Sequence, residues 1–451
     1  MANPYFDQSK VPTDAQFAAD SGFKLSTNTD VSKLRQMATN EFQGEKAFRV
    51  QIDWQESTDG GDAFHLSHMV IEPSGTQALR LRNQKSPSPF GSYKATLHDA
   101  GTGELIAWDS IGTGKEFRKL SRAIHFRFPL PEKSVVLKFY AEDATSGEIN
   151  FVFEKFIIPS DIQELELDPK RRTSDVTLIK EASHSPRLIF TIYAEGYKEQ
   201  RFRPSFIRDA VKVAETLEAV GIPYVDHFEF RAVYNLSEES LGTAQRGAMP
   251  VPDRDSFLGL YFPYWNDFGR WYHVLYPTRV KHYRDSLGQV AYDYPLALVD
   301  NAYYWGVGNF KELTAIPSES NYFAYLLTHE FGHFLGLNEE YQGGGRTELE
   351  FAPHVHEPWS QNITFLKEAS ELKWKQFVST ETPLPTPRNF WSRPIDPAKP
   401  FGAFEGGYAD SPANTQSYKP GLSCVMESGR SFCPICKDGM AQVIGRDLGL
   451  L

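Results

Sequence analysis

The 451-residue chain has three cysteines, Cys424, Cys433 and Cys436, all close together near the C-terminus. That number excludes a disulfide framework and leaves open one local disulfide plus a free thiol. A zinc site on these thiols is not expected, because they cluster with no nearby His. Cys433-Pro434-Ile435-Cys436 has the local form of a redox CxxC, but no βαβ unit precedes it. No run approaches the roughly 18 consecutive apolar residues of a membrane span. MANPYFDQSK has neither a basic n-region nor an apolar h-region, so no signal peptide is expected in the chain as given. Net charge is −11 without a long block of one sign, which argues against nucleic acid or an anionic membrane as main partner. No EF-hand spacing is present, so calcium has no motif behind it beyond the Asp, Asn and Glu of the loops.

What is there is ordinary globular composition, 41% hydrophobic and 23% charged, long enough for two or three domains. Residues 1–44 read as a polar arm with few contacts and a short helix near Val31–Met37. From 45 to 160 the segments AFRVQIDW, ALRLRNQ, SYKATLHD, ELIAWDS, AIHFRFPL, SVVLKFYAED and INFVFEKFII alternate or are rich in β-branched residues. Turn clusters separate them, and the spacing predicts an antiparallel β-sandwich. His65, His68, His98 and His125 are scattered through it without ligand spacing. Residues 161–185 read as a polar crossing. Strand, helix, strand, strand then follow over 187–301, the order of a mixed α/β layer. The predicted fold class is α+β, with a sandwich at 45–160 and a second domain at 186–451. The upper part of that domain is mixed α/β and its lower part is loop-rich. Aromatics are high at 14% of the chain, and Trp and Tyr cluster between 258 and 310 as core or as a binding surface.

The chemistry concentrates in HEFGHFLGLNEEY (329–341). On a helix His329 and His333, four apart, point two imidazoles at one metal. Glu330 then reaches a water on that metal as general base. Pro317 and Ser318 read as the start of this helix. A catalytic zinc wants three protein ligands and an open position. Gly336 suits a sharp helix end, and Glu339, three residues later, can swing back as third ligand. Glu340 is the neighbouring alternative. Glu368 and Glu371, in the helical-looking TFLKEASELKW, are the alternatives if the acid comes from a later helix. Met426, beside turn residues downstream of HExxHxxGxxE, fits the apolar floor that metzincins place under the metal. Gly306 and Gly308 follow the third strand and suit an edge that an extended peptide could pair with. Tyr408 could assist an oxyanion through its phenol. His354 and His356, two apart, read as surface residues.

Several ordered pieces resemble the IgA-peptidase-type metzincins (igalysins). They are AEGY (194–197), SLG (240–242), HEFGH (329–333), Glu340-Tyr341, EPW with Asn362 and Thr364, and KWK (373–375). FEGGY (404–408), Tyr418-Lys419-Pro420, CVM (424–426) and FCPIC (432–436) complete the set. The resemblance runs from about residue 45 to the end. It implies a secreted, periplasmic or cell-surface bacterial zinc endopeptidase acting on protein or glycoprotein. His329, His333 and Glu339 would be its ligands, Glu330 its base and Met426 its Met-turn residue. The family commonly has one more residue before its Asp-Glu-Tyr ending, and an Asp where this chain has Glu339. IgA cleavage itself does not carry over. The rival from another class is an inactive protein of the same fold that binds glycan or protein. A zinc amidase or esterase acting on a small substrate is a third reading.

Overall fold

The computed structural model describes residues 11–21, 29–56, 62–73, 75, 87–112, 123–143, 146–166, 172–238, 256–260, 277–302, 306–341, 356–392, 394, 396–407 and 417–451. Two short helices, α1 (Asp14–Ser21) and α2 (Thr39–Gln43), precede β1 (Lys46–Glu56) and β2 (Asp62–Pro73). Then come β3 (Tyr93–Asp99), β4 (Leu105–Ile111), β5 (Ala123–Pro129), β6 (Val135–Glu142), β7 (Ile149–Ile157) and β8 (Gln163–Glu164). They form two four-stranded sheets, β5-β1-β2-β8 and β4-β3-β6-β7, antiparallel except for the β2–β8 pair. Both sheets feed one apolar core, with Phe48, Val50 and Ile52 from β1 meeting Leu97, Leu137 and Phe139. Along β6 burial alternates residue by residue, as a strand with one covered face requires.

Six of the seven segments expected as strands are strands here; ALRLRNQ lies outside the described residues. The strand β2 was not expected. Most of its described side chains are only half-buried, so its sequence shows little apolar alternation.

The second half is mixed α/β. It runs through β9 (Val176–Lys180), β10 (Leu188–Glu195), α3 (Arg203–Ala219), β11 (Phe228–Val233), α4 (Pro277–Leu287) and β12 (Tyr294–Val299). After these come β13 (Val307–Asn309), β14 (Leu313–Pro317), α5 (Phe323–Phe334), β15 (Phe404–Glu405), β16 (Tyr418–Lys419) and α6 (Pro434–Asp447). Six strands make one sheet in the order β13-β14-β12-β10-β11-β9, parallel in the middle and antiparallel at both edges. Its central strands β10, β11 and β12 are buried at every position. One face packs on α3, α5 and α6, through Phe190, Ile192, Leu296, Phe206, Phe331 and Met440 among others. The other face packs on α4 and the N-terminal segment, through Tyr193, Ala297, Tyr283, Met37 and Phe42.

Four expectations need correcting. Residues 161–185 are not a plain crossing, since β8 joins the first sheet system and β9 edges the six-stranded sheet. The N-terminal arm has many contacts. Val11 and Phe17 sit in the main core, and Asp14 Oδ1 accepts from Ala324 N at 2.8 Å. Tyr322, the N-cap of α5, makes no capping bond of its own, so Asp14 does that work from far along the chain. Pro317 and Ser318 do not start α5; Pro317 ends β14, and the helix begins at Phe323. TFLKEASELKW is a series of turns in which Glu368 and Glu371 are exposed. Lys373 Nζ there donates to Ser360 O and Ile363 O, each at 2.8 Å, and Leu372 and Trp374 are buried.

The two halves meet through buried ions. Arg49 Nε donates to Glu72 Oε2 and Arg49 Nη2 to Asp285 Oδ1, both at 2.6 Å. Arg127 Nε donates to the other Glu72 oxygen at 2.8 Å, and its guanidinium lies 4.0 Å from the centre of the Tyr292 ring. His125, buried, joins this layer through Gln51 and Arg284.

Candidate metal centre

The helix α5 carries His329, Glu330 and His333, and its apolar residues Phe323, Leu326, Leu327, Phe331 and Phe334 are core. It ends in a full Schellman cap. Leu337 N donates to Gly332 O at 3.0 Å and Gly336 N to His333 O at 2.9 Å, with Gly336 at φ +86°. A Cβ at Gly336 would also stand 3.0 Å from Trp359 Cζ3. The cap sets up the next feature, because Leu337 O accepts the Nδ1–H of His333 at 2.8 Å. Val425 O does the same for His329 at 2.9 Å.

A carbonyl oxygen only accepts, so on both rings Nδ1 carries the proton and Nε2 is left with its lone pair. The two Nε2 atoms face each other at 3.2 Å, with the rings perpendicular. Two acceptors that close call for a shared proton or a metal ion between them. A tetrahedral zinc at ~2.05 Å from each nitrogen would set them about 3.3 Å apart. Burial, helped by the neighbouring His333, holds His329 down to about 3, so its ring is neutral and ligand-ready. Glu339 Oε1 lies 3.8 Å from His333 Nε2, on the same side. The donor set therefore fits zinc in two positions as it stands and in the third by a swing of one side chain.

Beneath the helix Met426 is buried, with its sulfur against Gly332; a Cβ there would meet Sδ at 2.5 Å. Met426 O accepts from Glu340 N at 2.8 Å, which ties the chain after the cap to this turn. Asn362 holds the same stretch, accepting from Asn338 N at 2.9 Å and donating to Asn338 O at 2.7 Å. Glu330 is 8% exposed and pushed up to about 7, chiefly by burial, with Glu339 adding to the rise and His333 and the Gly308 amide opposing it. The edge strand β13 presses on it from outside. A Cβ at Gly306 would stand 2.5 Å from Glu330 Cγ, and one at Gly308 only 1.9 Å from Glu330 O. Tyr325 and Tyr341 stack on His329, with centroids at 5.5 and 6.0 Å.

The model of the family described as IgA Peptidase M64 matches residues 176–395 and 392–444, more than half the chain. The chain belongs to the IgA peptidase M64 family. No curated protein matches it. As an M64 member it is of metallopeptidase lineage, and a peptidase implies a protein substrate. No described helix is long and apolar enough to cross a membrane.

Within this M64 chain, His329, Glu330, His333, Glu339, Gly336, Met426, Gly306 and Gly308 come together around the end of α5. Glu368 and Glu371 lie exposed on turns. Glu340 points elsewhere. It is fully buried, and its Oε1 accepts from Asn362 Nδ2 and from the Cys436 thiol, each at 3.1 Å. Tyr408 and His354 lie outside the described residues. His356 is not a surface residue. Its side chain is 9% exposed and 3.8 Å from Glu142 of β6, and nearby Trp359 Nε1 donates to Ser92 Oγ, so this stretch from 356 packs against the first sheet system. Sequence reasoning missed Asp14 as cap and the Val425 and Leu337 carbonyls as ring holders; a carbonyl leaves no mark on residue type.

Proposed function

We propose that this chain is a zinc-dependent endopeptidase, a β-sandwich over 45–160 followed by a metzincin-type catalytic domain over 186–451. The carrying observation is the pair of Nε2 atoms at 3.2 Å with both Nδ1 protons committed to carbonyls. His329, His333 and Glu339 would hold the ion, Met426 would be its floor, and Gly336 would be the cap that turns the chain back. Zinc bound there supplies Lewis-acid polarisation and lowers the pKa of a coordinated water to about 7.

Glu330 takes the proton of the attacking water and returns it to the leaving amine. Its buried position favours such a shuttle, because burial raises the carboxyl's affinity for a proton. Among the described strands β13 is outermost in its sheet, and Gly306 and Gly308 let it lie directly on Glu330. An extended substrate pairing with this edge would bring its scissile bond beside the base. Action outside the cytoplasm belongs to the same proposal, on the family resemblance.

The test is the metal content and protein-cleaving activity of the wild type beside Glu330→Ala. Cleavage by the wild type alone, with metal in both, supports the reading. Equal cleavage by both removes Glu330 from the mechanism. Metal in both with cleavage by neither turns the reading toward an inactive binding protein of this fold.

A further inference from the structure

Glu340, Cys424, Cys433 and Cys436 are distant in sequence and adjacent in space. One carboxylate oxygen and three Sγ atoms all lie within 4.8 Å of one another. Cys424 Sγ is 3.5 Å from Cys436 Sγ, and Cys436 Sγ is 3.1 Å from Glu340 Oε1. A disulfide needs about 2.05 Å, so these are separate thiols. A tetrahedral zinc, with sulfur at ~2.3 Å and oxygen at ~2.0 Å, sets S···S edges near 3.8 Å and S···O edges near 3.5 Å. The cluster is already close to that size.

A second observation points to a ligand. Glu340 is fully buried, and its Oε2 finds no hydrogen-bond partner among the described residues. A buried carboxylate oxygen without a partner costs free energy that a cation would remove. The surroundings favour anionic sulfur at Cys433. Cys433 is the N-cap of the 14-residue helix α6 and accepts from Cys436 N, so the positive end of the helix dipole faces the cluster. Lys419 Nζ sits on the Glu340 carbonyl and on Glu427 Oε1.

We propose that these four residues form a structural metal site that takes a soft, four-coordinate divalent cation, with zinc as its natural occupant. Three thiolates and one carboxylate close the coordination shell and leave no position for a reacting water, so the site holds structure and performs no chemistry. Binding releases the thiol protons to solvent. The ion ties three pieces of chain at one point, namely the stretch after α5, the turn carrying Met426 and the start of α6. It thereby fixes the residue next to Glu339, a consequence that rests on the catalytic reading above.

The experiment counts metal and reads cobalt spectra on the full chain, purified with reductant, for wild type, His333→Ala and Cys436→Ser. About two zinc ions in the wild type and about one in each variant are expected. Cobalt-substituted wild type and His333→Ala should both show a sulfur-to-cobalt charge-transfer band that Cys436→Ser lacks. One zinc in the wild type together with that band keeps this site and removes the catalytic one. Absence of the band in wild type and His333→Ala overturns the proposal, whether or not Cys436→Ser folds. A mass lower by two hydrogens in unalkylated protein, showing a disulfide among these cysteines, overturns it as well.

Discussion

The two sheet systems solve different problems. In the first, β6 buries every second residue and leaves the others half-exposed. In the second, β10, β11 and β12 are buried throughout, because helices or connecting chain cover both faces. A strand with one wet face tolerates change at half its positions. A doubly covered strand tolerates it at few, but holds what it carries rigidly. The histidine pair sits on a helix packed against the doubly covered sheet, where small displacements matter most. The halves meet across ions, so a lesion at the joint should affect stability more than chemistry.

The largest effect is expected at β13. Gly308→Val puts a side chain where Glu330 O already stands, and should cut kcat/KM by about 100-fold or more. Steady-state kinetics beside an unfolding curve would check it; retained activity would show that β13 does not brace the helix. Next is the joint. Glu72→Ala strips Arg49 and Arg127 of a shared buried partner and should cost about 3–5 kcal/mol in urea unfolding, with activity per folded molecule kept. A cost under ~1 kcal/mol would mean that the halves do not depend on these ions. Within β6, Leu137→Ala should cost about 3 kcal/mol and Lys138→Ala no more than ~0.5. Equal costs would contradict the one-faced strand.

The smallest effect concerns Asp209 on α3, which burial pushes up to about 6. Its folded-state pKa is raised, so its contribution is fully present below about 3.9 and is lost as pH rises through about 6. Asp209→Asn should therefore gain roughly 1 kcal/mol over wild type at pH 7.5, allowing for solvent screening, and little at pH 4. Equal differences at both pH values would show that Asp209 titrates normally.

The legible parts of this protein were those written in local spacing. His329, Glu330, His333 and Gly336 follow helix geometry and a helix end, and both features appear where the spacing put them. Strands with strong alternation were legible for the same reason. What was hidden depends on distant partners. Asp14 caps a helix more than three hundred residues away, and nothing around it in sequence says so. Glu340 could not be told from Glu339 by spacing; their side chains part only because Cys436 and Asn362 claim one of them. TFLKEASELKW has helical composition, but Lys373 is held by carbonyls and by Glu357 and Trp374 goes into a core, so tertiary contacts override propensity.

The contact between Met426 and Gly332 has one more consequence. A thioether with no exposed surface, pressed against a glycine that leaves no room for an added oxygen, resists peroxide while the fold is closed. Sulfoxide at this position would form at the pace at which the loop and helix part. The sulfur is thus a chemical clock inside the molecule, and its oxidation under mild peroxide would time how often the Met426 loop parts from the helix.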